Sequence, residues 1–123
     1  MPGTAVICDD DSVARHLARL VVESAGYTVA AEVDMATDAV RVAEMIKPEV
    51  VVIDVALTGL SGLDAIPLLH GVSPDTAVVV FSSFDSVRQE AMDAGAVAVA
   101  DKAHPDGLRE ALETITASAP AAG

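Results

Sequence analysis

The sequence predicts one α/β domain in which five strands alternate with five helices, forming a doubly wound parallel sheet covered on both faces. Three observations predict it. Short apolar runs rich in β-branched residues, of which Val50-Val51-Val52-Ile53 is the clearest, read as strands buried on both faces. Stretches with apolar residues at three- and four-residue steps separate them, as crossover helices require. The strongest runs stop on a polar residue, and Val50–Ile53 stops on Asp54. In a parallel sheet those ends share one edge, which is where open α/β sheets bind ligands.

The elements follow in order. Thr4–Cys8 is the first strand and runs into Asp9-Asp10-Asp11. Ser12 caps the first helix, whose apolar stripe is Val13, Leu17, Leu20, Val21 and Ser24. Gly26 ends that helix. Tyr27–Val33 alternates weakly and reads as a strand nearer an edge. Thr37–Lys47 is the second helix, with Ala39, Val40, Ala43 and Ile46 inward and Pro48 beyond its end. After Asp54 comes the loop Ala56-Leu57-Thr58-Gly59-Leu60-Ser61-Gly62. The third helix is interrupted by Pro67, so it starts late, near Asp64, or is kinked. Thr76–Phe81 is the fourth strand and ends in Ser82-Ser83. Asp85–Ala94 is the fourth helix, stopped by Gly95. Ala96–Ala100 is the fifth strand and ends in Asp101-Lys102. Asp106 caps a last helix with Leu108, Leu112 and Ile115 on one face.

Composition narrows the function. The chain has 123 residues, 52% of them hydrophobic, with two Phe, one Tyr and no Trp. The core is therefore aliphatic, and there is no aromatic platform for stacking bases. The formal net charge of -12 repels phosphate backbones and argues against nucleic-acid binding by this domain. The one cysteine, Cys8, continues an apolar run and reads as core. The apolar stretches fall far short of the roughly 20 residues that a membrane span needs. A soluble, cytoplasmic protein is expected. His16, His70 and His104 are dispersed and read as surface residues.

The strand ends converge on one chemistry. Folding brings together the carboxylates of Asp9, Asp10 and Asp54, the hydroxyl of Ser82 and the ammonium of Lys102. Three clustered acids repel one another unless a cation compensates. A hard divalent cation does so, and Mg²⁺ typically takes one or two carboxylates, waters and a phosphoryl oxygen. This set suits an acyl phosphate formed on one Asp, with metal and ammonium neutralising the transferred group. Taken singly, each residue has a plainer reading. Ser82 can be a helix cap, Lys102 a surface charge, and Asp9, Asp10 and Asp54 turn formers.

In these residues the sequence resembles the receiver domain of the response-regulator family, the CheY-like fold. The resemblance spans residues 4 to about 117. It rests on Ile7-Cys8-Asp9-Asp10-Asp11-Ser12, Val51-Val52-Ile53-Asp54, Leu57-Thr58-Gly59-Leu60-Ser61-Gly62, Phe81-Ser82-Ser83, and Gly95-Ala96 leading to Asp101-Lys102. It implies strand order 2-1-3-4-5, a receiver domain over residues 1–117 and a tail or linker stub over 118–123. It further implies Asp54 as phosphoacceptor, and Mg²⁺, or Mn²⁺ in its place, bound by Asp10, Asp9, Asp54 and the backbone carbonyl of Ala56. Ser82 becomes the switch hydroxyl and Lys102 the phosphoryl partner. The implied partners are a sensor histidine kinase or phosphotransfer protein, and an effector protein docking on the helix 4–strand 5–helix 5 face. Such a domain promotes its own phosphorylation and dephosphorylation but is a signalling domain, not an enzyme.

Three departures from the family pattern stand out. Ala103 replaces the usual cis proline after the lysine, so a trans bond is expected there. Thr58 replaces a usual proline. Val99 occupies the position of the aromatic switch residue. Ala56 and Phe84 flank the phosphoryl position, and neither can orient an attacking water, so slow self-dephosphorylation is expected. Other readings fit parts of the chain. Asp9-Asp10-Asp11-Ser12-Val13 is similar to the nucleophile motif of haloacid-dehalogenase-type phosphatases, with Asp9 as nucleophile, but that leaves Asp54 without a role. A flavin module would need Ser, Thr and Gly amides in the first loop, where acids stand instead. A degenerate receiver serving only as a binding module would not need the full set of acids, hydroxyl and lysine.

Overall fold

The computed structural model describes residues 3–83 and 85–118. The strands are β1 (Thr4–Cys8), β2 (Thr28–Val33), β3 (Val50–Ile53), β4 (Ala77–Ser82) and β5 (Ala98–Asp101). The helices are α1 (Ser12–Ser24), α2 (Ala36–Ile46), α3 (Gly62–Val72), α4 (Arg88–Ala94) and α5 (Asp106–Ser118), with a 3₁₀ turn over Asp85–Val87 leading into α4. All four strand pairings are parallel and the order is β2-β1-β3-β4-β5. The doubly wound sheet expected from the sequence is present.

The core has two halves, one on each face of the sheet. Val6, Cys8, Val51, Ile53, Val78 and Val80 face α2, α3 and α4. Ala5, Ile7, Val50, Val52, Val79 and Phe81 face α1 and α5. The alternation within β1, β3 and β4 sends successive residues to opposite halves. Every residue of β3 is therefore buried, and all four are apolar. This is why the chain has to put its acid beyond the strand, at Asp54.

Helix packing differs from the expected stripes in three places. On α1 the buried residues are Ala14, Ala18 and Val22. Val13 is 76% exposed and Leu20 53%, while Leu17 and Val21 only border the core. The small residues allow α1 to lie close to the sheet, which turns its larger apolar neighbours outward. On α2, Ile46 is 42% exposed, because the helix ends there and Lys47 enters the left-handed region at φ 48°. His70, expected on the surface, is half-buried, and its Nε2 donates to Gly95 O at 2.9 Å.

The helix starts also differ. Asp11, not Ser12, is the N-cap of α1, and its carboxylate accepts from Val13 N. The third helix does not start late: α3 begins at Gly62, capped by Ser61 Oγ accepting from Asp64 N at 3.1 Å. Pro67 lies inside it, on the exposed side. Asp106 lies within the first turn of α5 and is not a cap before it.

Candidate functional site

The carboxyl ends of β1, β3, β4 and β5 place the predicted residues side by side. The sheet ladder continues past the strands: Asp9 N donates to Val33 O and Asp54 N to Cys8 O, each at 3.1 Å. Both aspartates are thereby fixed in register while their side chains leave the sheet. Asp9 is 3% exposed and Asp54 6%, whereas Asp10 is exposed. One carboxylate oxygen from each of Asp9, Asp10 and Asp54 lies within 4.8 Å of the others.

Lys102 lies across two of them. Its Nζ is 2.7 Å from Asp9 Oδ2 and 2.8 Å from Asp54 Oδ2. The remaining oxygens are held by backbone amides. Asp11 N donates to Asp9 Oδ1 at 2.9 Å, and Ala56 N to Asp54 Oδ1 at 3.2 Å. The lysine's backbone is fixed as well, since Lys102 N donates to Ser82 O at 3.0 Å. Ser82 is buried at the end of β4.

The electrostatics follow from this geometry. Three carboxylates and one ammonium leave an excess of negative charge in a largely buried site. Burial pushes the Asp9 carboxyl above its usual range and the Asp54 charge adds to this, although Lys102 and the Asp11 amide pull the other way. Burial also disfavours the charge on Lys102, but Asp54 and Asp9 together outweigh that and hold its proton more tightly than usual. The oxygen-only donor set, its spacing and its surplus charge fit a hard divalent cation.

Other residues shape the site without being legible as part of it. Arg15 of α1 donates to Asp9 O at 2.8 Å and is itself 3.5 Å from Glu32. Gly62 is needed for close approach: a Cβ there would lie 2.1 Å from Asp54 O and 2.8 Å from Val55 Cα. Val99, at the position of the usual aromatic, is half-buried, and its carbonyl accepts from Arg88 at 3.0 Å. Among the described residues no peptide bond is cis, so the bond into Ala103 is trans as expected. Phe84 falls outside the described residues, as do 119–123 of the expected tail.

The phosphatase reading is not favoured. It leaves Asp54, which shares the acidic cluster and the Lys102 contact with Asp9, without a role. The binding-only reading is not favoured either, because the acids and the lysine converge.

Comparison with known proteins agrees with the geometry. The model of the response regulator receiver domain matches residues 5–113. The chain is 32% identical over 112 residues to the response regulator GacA of Pseudomonas aeruginosa, covering 89% of this chain and 51% of that protein. It is 30% identical over 98 residues to the chemotaxis protein CheY of Thermotoga maritima, covering 78% of this chain and 82% of that one. Among solved structures, a LuxR-family two-component response regulator from Aurantimonas superposes with a TM-score of 0.86 at 27% identity, covering 95% of this chain and 86% of that chain. The chain thus spans about half the length of GacA but most of CheY.

Proposed function

The chain belongs to the response-regulator receiver family of two-component systems, and from that premise we propose that Asp54 is its phosphoacceptor. The observation that carries this reading is the Lys102 ammonium bridging Asp54 and Asp9 at the sheet edge. Asp54 stands at the end of the most buried strand, with one oxygen on an amide and the other on an ammonium.

Asp10, Asp9, Asp54 and the carbonyl of Ala56 would hold Mg²⁺, or Mn²⁺ in its place. The cation supplies charge neutralisation for the transferred phosphoryl group. An Asp54 oxygen attacks phosphorus as the bond from phosphorus to the donor's imidazole nitrogen breaks. The electron pair stays on that nitrogen, which takes up a proton. Lys102 is already at the acceptor and exchanges its contact with Asp54 Oδ2 for a phosphoryl oxygen. The hydroxyl of Ser82 turns onto another, shifting the protein between two surface states.

The donor is a sensor histidine kinase or phosphotransfer protein, or a small acyl phosphate. The output is an effector protein docking on the face made by α4, β5 and α5. With Val99 in place of an aromatic, that face cannot report through a Tyr or Phe rotamer. The Arg88–Val99 hydrogen bond ties α4 to β5 instead. Exposed Ala56 offers no group to orient water, so hydrolysis is slow. We assign the domain to signalling in the cytoplasm, without an enzymatic role. Among the described residues no helix is long and apolar enough to cross a membrane.

Asp54→Asn tests the assignment against a phosphatase using Asp9. The receiver reading predicts that the variant takes up no phosphate from acetyl phosphate and Mg²⁺. Uptake by the variant at the wild-type rate would overturn it.

A further inference from the structure

Between β5 and α5 the chain reverses in one four-residue turn, Asp101-Lys102-Ala103-His104. Two hydrogen bonds close it. His104 N donates to Asp101 O at 2.9 Å, and Ala103 N donates to Asp101 Oδ1 at 2.8 Å. The second is an Asx turn, in which a side-chain oxygen mimics a backbone carbonyl two residues ahead. Lys102 occupies the first central position, and its own amide is held by Ser82 O. Its Cα is thus fixed from both sides before the side chain reaches Asp9 and Asp54.

The family pattern has proline at position 103. Proline restricts the backbone of the residue before it and carries no N–H. Ala103 imposes no such restriction but has an N–H, and Asp101 uses it. We propose that Asp101 is the positioning residue of Lys102, its carboxylate holding the turn that proline would otherwise stiffen. This rests on the reading that Lys102 serves phosphoryl transfer to Asp54. A lysine has a flexible four-carbon stem and three freely rotating donors, so the bridge depends on where the stem begins. Asp101 is at the last register position of β5, opposite Ser82. The two residues that tether the lysine's backbone are therefore paired across β4 and β5.

The chain has two lysines, Lys47 and Lys102. Acylation of the full chain with a lysine-directed reagent, read by peptide mass spectrometry, therefore compares Lys102 with an internal reference. Asp101→Ala and Asp101→Gln are expected to raise Lys102 labelling over Lys47 by about fivefold, the equivalent of one ordinary hydrogen bond. Both should slow Mg²⁺-dependent phosphate uptake from acetyl phosphate by a similar factor. Asp101→Asn keeps an oxygen at the same reach and should stay within about twofold of the wild type in both measurements. Asp101→Gln keeps the amide but moves it one methylene too far.

Wild-type labelling and uptake in both the Ala and Gln variants would overturn the proposal. So would an Asn variant that behaves like the Ala variant, since charge and not the turn would then matter. Lys47 is exposed in the folded chain, so unfolding alone would also raise Lys102 over Lys47. Far-UV circular dichroism therefore checks each variant, and if Asp101→Ala is unfolded the Asn–Gln pair decides. A wild type that takes up no phosphate overturns the phosphoacceptor reading instead, and the labelling comparison still decides the role of Asp101.

Discussion

Lys102 Nζ lies 2.8 Å from Asp54 Oδ2, and the same ammonium lies 2.7 Å from Asp9 Oδ2. One cation thus holds two buried carboxylates that would otherwise repel. The contact has a cost, since all three groups leave water to make it. On the proposed reading it also has a use, because the counter-charge is in place before a phosphoryl group arrives.

Lys102→Met removes the ammonium and keeps the stem. Breaking a fully buried pair costs roughly 3–5 kcal/mol. The lysine side chain is 17% exposed, so about 2 kcal/mol is expected in metal-free urea unfolding. Mg²⁺ should recover more stability in this variant than in the wild type, because it supplies the missing charge. Equal stabilisation of both proteins would count against a shared site.

Asp9 gives the metal-free protein an unusual pH dependence. Its folded pKa is raised, so the folded state holds the proton more tightly than the unfolded chain does. Its contribution is therefore greatest below the ordinary carboxyl range and is lost as pH rises through the folded value. Asp9→Asn removes this loss. The variant should gain stability relative to the wild type as pH is raised from about 4 towards neutrality. A constant difference between the two curves would contradict the assigned shift.

Cys8 serves as a built-in reporter of opening. It is 1% exposed, and its thiol is pushed up to about 12 by burial first, then by Asp9, Asp34, Asp38 and Asp54. At pH 8 only about one thiol in ten thousand would be ionised even if it were reached. A disulfide exchange reagent should therefore label Cys8 at the rate of protein opening, and Mg²⁺ should slow labelling by binding the folded form. Rapid labelling of the folded protein would refute the burial.

Two glycines that follow Asp54, Gly59 in the loop and Gly62 at the start of α3, separate close approach from backbone freedom. Gly62→Ala drives a Cβ into the Asp54 carbonyl and should cost about 3 kcal/mol, while distorting the acceptor. Gly59 has φ 83° and open space around it, so Gly59→Ala should cost only about 1 kcal/mol. Thermal unfolding and phosphate uptake of the two variants check both numbers. Equal effects would argue that the loop backbone can move away from Asp54.

Much of the site was legible because strand ends are legible. A short apolar run stopping on Asp54, and others stopping on Asp9, Ser82 and Lys102, locate a common edge before any side chain is placed. The alternation of runs and helices likewise located the sheet. The surface of α1 was not legible in the same way. Val13 and Leu20 face outward because the close contact is made by Ala14 and Ala18. Size and hydrophobicity pointed to the wrong stripe. Gly62, Arg15 and Asp101 act through single backbone contacts with Asp54, Asp9 and Ala103. Such contacts leave no periodic trace in a sequence. A weak signal existed for Asp101, since the missing proline at Ala103 called for some other means of fixing the turn.

The intact mass of the wild-type chain after incubation with acetyl phosphate and Mg²⁺, followed by peptide mapping, tests phosphorylation of Asp54 most directly. A phosphoacceptor at Asp54 gives a gain of one phosphoryl group, carried by the peptide that contains Asp54 and lost when EDTA replaces Mg²⁺. A folded chain that gains no mass, or gains it on a peptide without Asp54, would contradict it.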